Sequence, residues 1–189
     1  MCGGQPARLY GLAKVQKKDC RLRPVLSMPG TMYELLSKEL ASIINKLPQA
    51  KISCNAQEIN RNLGDLKLND EEQLISLDVV SLLTNVPVDE AIDYTAELLF
   101  EQEDAPELPF DRDTFVTLLR LVTKDVIFAT NHGNFKQIDG VAMGSSVGPL
   151  LANIFMSKYD KELGSFSPFY YRYIDDILLL QSLVALIIC

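Results

Sequence analysis

Apolar positions recur along the chain with two different periods, and this pattern predicts strands interleaved with helices. Two short apolar runs joined by a polar turn predict a hairpin over Arg8–Val15 and Leu22–Ser27. Residues 33–47 have a helical spacing of apolar side chains, and Thr31 with Glu34 forms a predicted capping box at the start of that helix. A second, more polar helix is predicted over residues 55–66.

The same periodicities predict elements in the rest of the chain. Strands are predicted over residues 73–79, 126–130, 134–138, 169–173 and 177–180, with a tight turn at 174–176. Helices are predicted over residues 87–100, 111–124 and 150–164, the second of them capped by Asp111 or Asp113. Because the strands and helices follow no regular parallel rhythm, we predict an α+β fold.

Composition indicates a globular protein of about one domain. The chain has 189 residues, of which 48% are hydrophobic and 23% are charged. Its N-terminus lacks the pattern of a secretion signal, and its longest apolar run, residues 177–189, is shorter than the roughly 20 residues that a membrane helix needs. The four cysteines have no spacing typical of a zinc or redox site. We therefore expect an intracellular protein, in the nucleus or cytoplasm, without a membrane partner.

The charges are distributed unevenly along the chain, although the net charge of −7 by itself argues against nucleic acid as a partner. Residues 1–51 contain nine Lys or Arg against three Asp or Glu, whereas residues 52–189 contain nine against 22. A basic N-terminal quarter is able to contact phosphates while acidic helices face water. An ordinary solvated basic stretch is the alternative, and charge alone does not decide between them.

Three aspartates are the main candidates for chemistry. Asp175 and Asp176 lie side by side between apolar strand residues, where burial of two charges is costly unless cations neutralise them. Asp78 ends another predicted strand. If the two strands are neighbours, the three carboxylates converge and are able to hold two Mg²⁺ ions about 3.5–4 Å apart for in-line phosphoryl transfer. Acidic turn residues at strand ends are also common, so spacing alone leaves both readings open.

Two further segments are candidates for binding. Residues 140–149 are rich in glycine and precede a predicted helix, so their amides are able to approach a phosphate or a nucleobase, but a structural connection is equally plausible. They match neither the P-loop nor the dinucleotide fingerprint. In the basic hairpin, Lys14 and Arg23 are able to bind phosphate oxygens, or are simply solvated.

Four segments in this order resemble the reverse transcriptase domain of Penelope-like retroelements. They are residues 9–15 (LYGLAKV) with 22–27 (LRPVLS), 77–87 (LDVVSLLTNVP), 137–145 (QIDGVAMGS) with 148–156 (GPLLANIFM), and 171–179 (YRYIDDILL). The resemblance covers about residues 8–180. It implies a right-hand polymerase with an antiparallel palm sheet and packed helices, in which residues 1–72 belong to the fingers and 73–189 to the palm, with fingers segments in about 104–140.

The resemblance also implies the reaction and its partners. The family copies an RNA template into DNA by adding dNTPs to a DNA primer, with two Mg²⁺ ions or alternatively Mn²⁺. The implied metal ligands are Asp78 and Asp175, with Asp176 beside them as support. The implied nucleotide and template contacts are Lys14, Arg23, Leu83, Gln137, Gly140, Met143, Gly144 and Tyr173. Among these, Leu83 replaces the aromatic residue that in the family excludes a ribose 2′-hydroxyl.

The resemblance ends near Leu180, before the remaining palm and the helical thumb of the family. We therefore expect a fingers-and-palm piece with no thumb, in which residues 1–189 extend primers poorly by themselves. The alternative function is a degenerate, non-catalytic retroelement remnant that at most binds nucleic acid. An unrelated two-metal nuclease is a third hypothesis, without a motif of its own.

Overall fold

The computed structural model describes residues 4–13, 15, 22–50, 56–102, 106–124 and 126–182. Within those residues the chain forms seven strands and six α-helices in mixed order. The strands are β1 (Ala7–Ala13), β2 (Leu22–Ser27), β3 (Glu72–Asp78), β4 (Ile127–Thr130), β5 (Gly133–Lys136), β6 (Tyr170–Tyr173) and β7 (Asp176–Ser182). The helices are α1 (Glu34–Ile44), α2 (Ala56–Asp65), α3 (Leu82–Asn85), α4 (Val88–Phe100), α5 (Arg112–Thr123) and α6 (Gly148–Phe166), with a 3-10 turn at Pro48–Ala50. The predicted α+β class is confirmed.

The described strands form two sheets. The first sheet has the order β2-β1-β4-β5 and is antiparallel except where β1 meets β4, which it joins in parallel over two residue pairs, Ala7 with Phe128 and Arg8 with Ala129. The second sheet has the order β3-β7-β6 and is antiparallel throughout. An antiparallel sheet is what the resemblance implies for the palm.

The main hydrophobic core lies between the helices and one face of the second sheet. Leu99 of α4, Phe115 of α5 and Ile154 of α6 are fully buried in it, together with Ile177 of β7. Each helix has apolar residues on one face because they recur three or four positions apart. With these faces α4 packs against both α5 and α6, and α6 packs against β6. A smaller cluster beneath the first sheet includes Leu26. Val141 belongs to the main core and Ala142 to the smaller cluster, so the segment between β5 and α6 connects the two.

Helix ends show which local predictions were right. Asp111 caps α5 as expected, because its carboxylate accepts a 2.8 Å hydrogen bond from the Thr114 amide. The predicted capping box at α1 is wrong. The Thr31 hydroxyl instead donates to the Met28 carbonyl at 2.7 Å, in the turn that precedes the helix. Helix α1 therefore begins without a hydrogen bond from a capping side chain.

The predictions about the cysteines, Lys14 and a membrane helix depend on which residues the structure describes. All four cysteines and Lys14 lie outside the described residues. Among the helices formed by the described residues, none combines the length and the apolar character that crossing a membrane requires.

Candidate active site

Asp175 and Asp176 lie at a tight hairpin turn, as the sequence predicts. Strands β6 and β7 are paired up to Tyr173 and Asp176, so Ile174 and Asp175 form a two-residue loop, here called the aspartate turn. Two-residue hairpin loops need a positive φ, which is usually provided by glycine or asparagine. Ile174 has φ 60°, an unfavourable conformation for a β-branched residue. The surrounding structure must therefore hold this turn in place.

Asp78 lies beside this turn because β3 pairs with β7. In the antiparallel register Asp78 is directly opposite Asp176, and the Val79 amide donates a 2.9 Å hydrogen bond to the Asp175 carbonyl. Residues directly opposite each other present their side chains on the same face of a sheet, with Cβ atoms about 4.5–5.5 Å apart. The fold thus brings the three aspartates to one end of the second sheet.

The face that carries Asp78 and Asp176 is here called the aspartate face. The same register places Leu178, Tyr171 and Tyr173 on it. Tyr173 is opposite Asp176 and half of its surface is exposed. An exposed aromatic ring next to two carboxylates is suited to contact with a nucleotide, whose bases stack on such rings.

The exposure and the number of the aspartates determine whether they suit a metal ion. Asp78 and Asp176 are exposed and Asp175 is half-buried, so the carboxylates are accessible to hydrated cations. Among the described residues, no three carboxylate, imidazole or thiol groups form a cluster that holds an ion by themselves. Magnesium in polymerase-type sites is bound by one or two carboxylates together with water and substrate phosphates, so a pair of opposed aspartates fits that donor set.

The glycine-rich segment contacts both α3 and the first sheet. The Val141 amide donates to the Leu83 carbonyl at 2.7 Å, and the Met143 carbonyl accepts from the Leu26 amide at 2.8 Å. Gly140 and Gly144 both have positive φ, and an added Cβ would lie 2.5 Å from a carbonyl oxygen at Gly140 and 2.2 Å from one at Gly144. Close backbone packing therefore accounts for both glycines.

Gln137 and Leu83 lie against this segment. The Gln137 side-chain amide donates to the carbonyls of Asp139 and Gly140, at 3.1 and 3.0 Å. Leu83 is half-buried on α3, only five residues after Asp78. The structure thus brings Leu83, Gln137 and Gly140 together close to the end of β3 at which Asp78 lies.

Arg23 lies in the first sheet on the side of the glycine-rich segment. It is exposed on β2, and the register places it on the same face as Val25 and Tyr10. The Val25 side chain is 3.5 Å from the position of a Cβ built on Gly144. Arg23 and an exposed tyrosine therefore share the face that borders Met143 and Gly144.

A buried ionic network behind the aspartate turn was not predicted from the sequence. Arg172 of β6 is only 2% exposed, and its guanidinium donates to both carboxylate oxygens of Asp160 on α6, at 2.8 and 2.7 Å. Tyr170 also donates to Asp160, at 2.6 Å, and burial together with this hydrogen bond raises the pKa of its hydroxyl. The available signal was an arginine in the middle of an apolar strand, which needs a buried partner.

The family model described as reverse transcriptase (RNA-dependent DNA polymerase) matches residues 15–183. Similar solved structures include telomerase from Candida albicans in complex with the TWJ fragment of telomeric RNA (TM-score 0.58, 12% identity, 93% of this chain and 38% of the other). An apo telomerase from Candida tropicalis is also similar (TM-score 0.62, 13% identity, 94% of this chain and 38% of the other). So is an apo telomerase from the same organism that is truncated from its C-terminal domain (0.60, 11%, 95% and 44%).

The chain spans about two fifths of the length of the three telomerases, and the identities show a shared fold alone. A comparison with curated proteins found no match.

Proposed function

This chain belongs to the reverse transcriptase (RNA-dependent DNA polymerase) family, and on that premise we propose that it forms the fingers and palm of an RNA-directed DNA polymerase of the Penelope-like type. It adds dNTPs to the 3′-hydroxyl of a DNA primer paired with an RNA template. In this proposal residues 1–72 are fingers and 73–189 are palm, with fingers segments in about 104–140. The order of the four sequence segments supports the Penelope-like assignment.

The observation that carries the proposal is the pairing of Asp78 with Asp176 beside the aspartate turn. Asp78 and Asp175 are the proposed metal ligands, and Asp176 adds negative charge next to them. Two divalent cations, Mg²⁺ or Mn²⁺, would activate the primer hydroxyl and neutralise the charge that develops on the triphosphate and pyrophosphate. Tyr173, which is exposed on the aspartate face, packs near the primer terminus.

The first sheet and the glycine-rich segment supply the nucleotide contacts in this proposal. Arg23 binds the triphosphate or the template from β2, and Lys14 is a second proposed contact to these groups. Leu83 lies where the ribose 2′ position passes the end of β3. Gln137, Gly140, Met143 and Gly144 frame the incoming nucleotide and the templating base. The basic charge of residues 1–51 favours phosphate binding on this side.

The test is incorporation of one dNTP by the 189-residue chain on a DNA primer annealed to an RNA template, with Mg²⁺ or Mn²⁺. We expect slow incorporation that Asp175→Asn reduces by at least about 100-fold, because each carboxylate that holds a cation supports several kcal/mol of transition-state stabilisation. Asp93→Asn is the matched control, since Asp93 is an exposed aspartate on α4. Asp93→Asn should keep the wild-type rate.

Two outcomes contradict the proposal. Incorporation that survives Asp175→Asn at the wild-type rate would remove the aspartates from the reaction. No incorporation, combined with binding of primer–template that is unchanged when Asp78, Asp175 and Asp176 are all replaced by Asn, would support the alternative of a non-catalytic nucleic-acid-binding remnant.

A further inference from the structure

Arg172 is a charged residue in a position that normally favours an apolar one. It lies on the face of β6 that packs against the core, opposite the buried Ile177, and is 2% exposed. A buried guanidinium costs several kcal/mol unless its donors are paired. The contacts that pair them connect α6 to the aspartate turn.

One side of the guanidinium is fixed to α6. Nε donates to one carboxylate oxygen of Asp160 at 2.8 Å and Nη2 donates to the other at 2.7 Å. This two-point contact sets the plane of the guanidinium as well as its position, because the donor fork of arginine matches the two oxygens of a carboxylate. Tyr170 donates to the same carboxylate at 2.6 Å and so restricts Asp160 further.

The other side of the guanidinium reaches the aspartate turn. Nη1 donates to the Ile174 carbonyl at 2.9 Å and to the Asn153 side-chain oxygen at 3.2 Å. Ile174 is the residue with φ 60°, which a β-branched side chain disfavours, so the turn relaxes unless something holds it. The carbonyl that Arg172 binds belongs to the peptide group that links Ile174 to Asp175.

The aspartate turn is held from β3 as well. The Val79 amide donates to the Asp175 carbonyl at 2.9 Å. The backbone of Asp175 therefore lies between two contacts, one from Arg172 behind the turn and one from Val79 beside it. Loss of either contact frees the turn on that side.

We infer that Arg172, fixed by Asp160 of α6, is a positioning residue that locks the aspartate turn and so sets the place of the Asp175 carboxylate relative to Asp78. The use of that place for cations rests on the proposed polymerase function, whereas the locking of the turn does not. Because Asp160 balances the guanidinium charge, Arg172 holds the turn without competing with cations for the carboxylates.

A double substitution separates positioning from stability. Replacement of a buried ion pair by apolar residues of similar volume is often neutral or stabilising, whereas removal of one partner leaves a buried charge. Arg172→Met with Asp160→Leu should therefore stay folded but lose the contact to the Ile174 carbonyl. Arg172→Lys is a second variant, which keeps the charge but cannot bind Asp160 at two points and reach Ile174 at once. Lys158→Met is the control, because Lys158 lies on α6 like Asp160 and forms an exposed ion pair with Glu90 of α4.

The direct measurement is hydrogen exchange of the Val79 amide in the full chain, followed by NMR without added metal. We expect exchange about tenfold faster in the double variant and in Arg172→Lys, since a hydrogen bond from a charged donor to the turn is lost. Amides of α5, such as that of Leu119, should exchange at the wild-type rate. In parallel, Mn²⁺ affinity measured by EPR should fall about tenfold in the same two variants and remain unchanged in Lys158→Met.

The outcomes test two claims, the positioning role of Arg172 and the proposed polymerase site. Unchanged Val79 exchange in a folded double variant or in Arg172→Lys would overturn the positioning role. Faster exchange at Val79 and Leu119 together would show a merely structural role and would also overturn it. Faster exchange at Val79 alone, in a chain whose wild type binds no Mn²⁺, would uphold the positioning role and count against the proposed polymerase site.

Discussion

Replacement of Gly140 by alanine should be among the most damaging single changes in the chain. Gly140 has φ 65°, and its carbonyl accepts a hydrogen bond from the Gln137 side chain. An added Cβ would lie 2.6 Å from the Leu83 carbonyl oxygen and 2.5 Å from that of Thr84. Both oxygens belong to the backbone of α3, so neither can move as a flexible side chain would.

The expected cost has two parts. A residue with a Cβ in the left-handed region costs about 1–2 kcal/mol relative to glycine. The steric overlap with α3 adds about 1–3 kcal/mol, as in other overpacked sites. The free energy of unfolding should therefore fall by roughly 2–5 kcal/mol, a large part of the roughly 5–15 kcal/mol that a domain possesses.

Two other glycines separate these parts. Gly30 has φ 77° with nothing within 4 Å of an added Cβ, so Gly30→Ala should cost only about 1–2 kcal/mol. Gly64 is in helix α2 with open space around it and no positive φ, so Gly64→Ala should stabilise the fold by up to about 1 kcal/mol. Gly140→Ala therefore combines backbone strain with steric overlap, Gly30→Ala has backbone strain alone, and Gly64→Ala has neither.

Urea unfolding followed by far-UV circular dichroism measures all three variants against the wild type. Relative to the wild type, the urea midpoint should fall most in Gly140→Ala, fall less in Gly30→Ala and rise slightly in Gly64→Ala. The slope of the unfolding free energy against urea concentration should stay unchanged, so that the midpoint shifts report stability. A Gly140→Ala variant that is no less stable than Gly30→Ala would refute the argument, because it would show that α3 does not pack against Gly140 as described.

Two further predictions concern nucleotide choice and pH. In a chain that incorporates nucleotides, Leu83→Phe should raise the preference for dNTPs over rNTPs by about tenfold or more, because a bulkier side chain excludes the 2′-hydroxyl; an unchanged ratio of incorporation rates would contradict it. The hydrogen bond from Lys124, aided by the charges of Lys124 and Arg120, holds the pKa of Asp89 below its ordinary value. Asp89 should therefore stabilise the fold above about pH 4 and lose this effect as the pH falls through its lowered pKa. The difference in unfolding free energy between wild type and Asp89→Asn should be at most about 1 kcal/mol near neutral pH in low salt and should vanish in acid; a difference independent of pH would count against the pair.

Elements with strong periodic patterns could be predicted from the sequence because their determinants are local. The cap of α5 at Asp111 depends on hydrogen bonds within one helical turn, and the hairpin at the aspartate turn depends on two apolar strands around two residues. Helix α3 has only four residues and could not be predicted in this way, since a single helical turn is too short to show a hydrophobic period. Its place is fixed by Leu83 and Gly140, which are far apart in the sequence.

The capping box at α1 shows how a local rule fails. Thr31 and Glu34 have the correct spacing, but each has a competing partner in the turn before the helix. Thr31 donates to the Met28 carbonyl, and the Glu34 carboxylate accepts from the Gly30 amide at 2.6 Å. The glycine with positive φ at this turn brings those partners within reach, and a sequence pattern alone does not show that geometry.

The network behind the aspartate turn could be predicted from the sequence only in part. Asn153 and Asp160 are seven residues apart in a predicted helix, so they lie on the same face after two turns. Arg172 interrupts an apolar strand and must find a partner. That these requirements meet depends on the packing of α6 under β6, which periodicity does not specify. Because α6 begins within the glycine-rich segment, at Gly148, the same helix that anchors the proposed nucleotide contacts holds Arg172. Movement of α6 would then disturb both ends of the site together, whereas the double variant of Arg172 and Asp160 should disturb the aspartate turn alone.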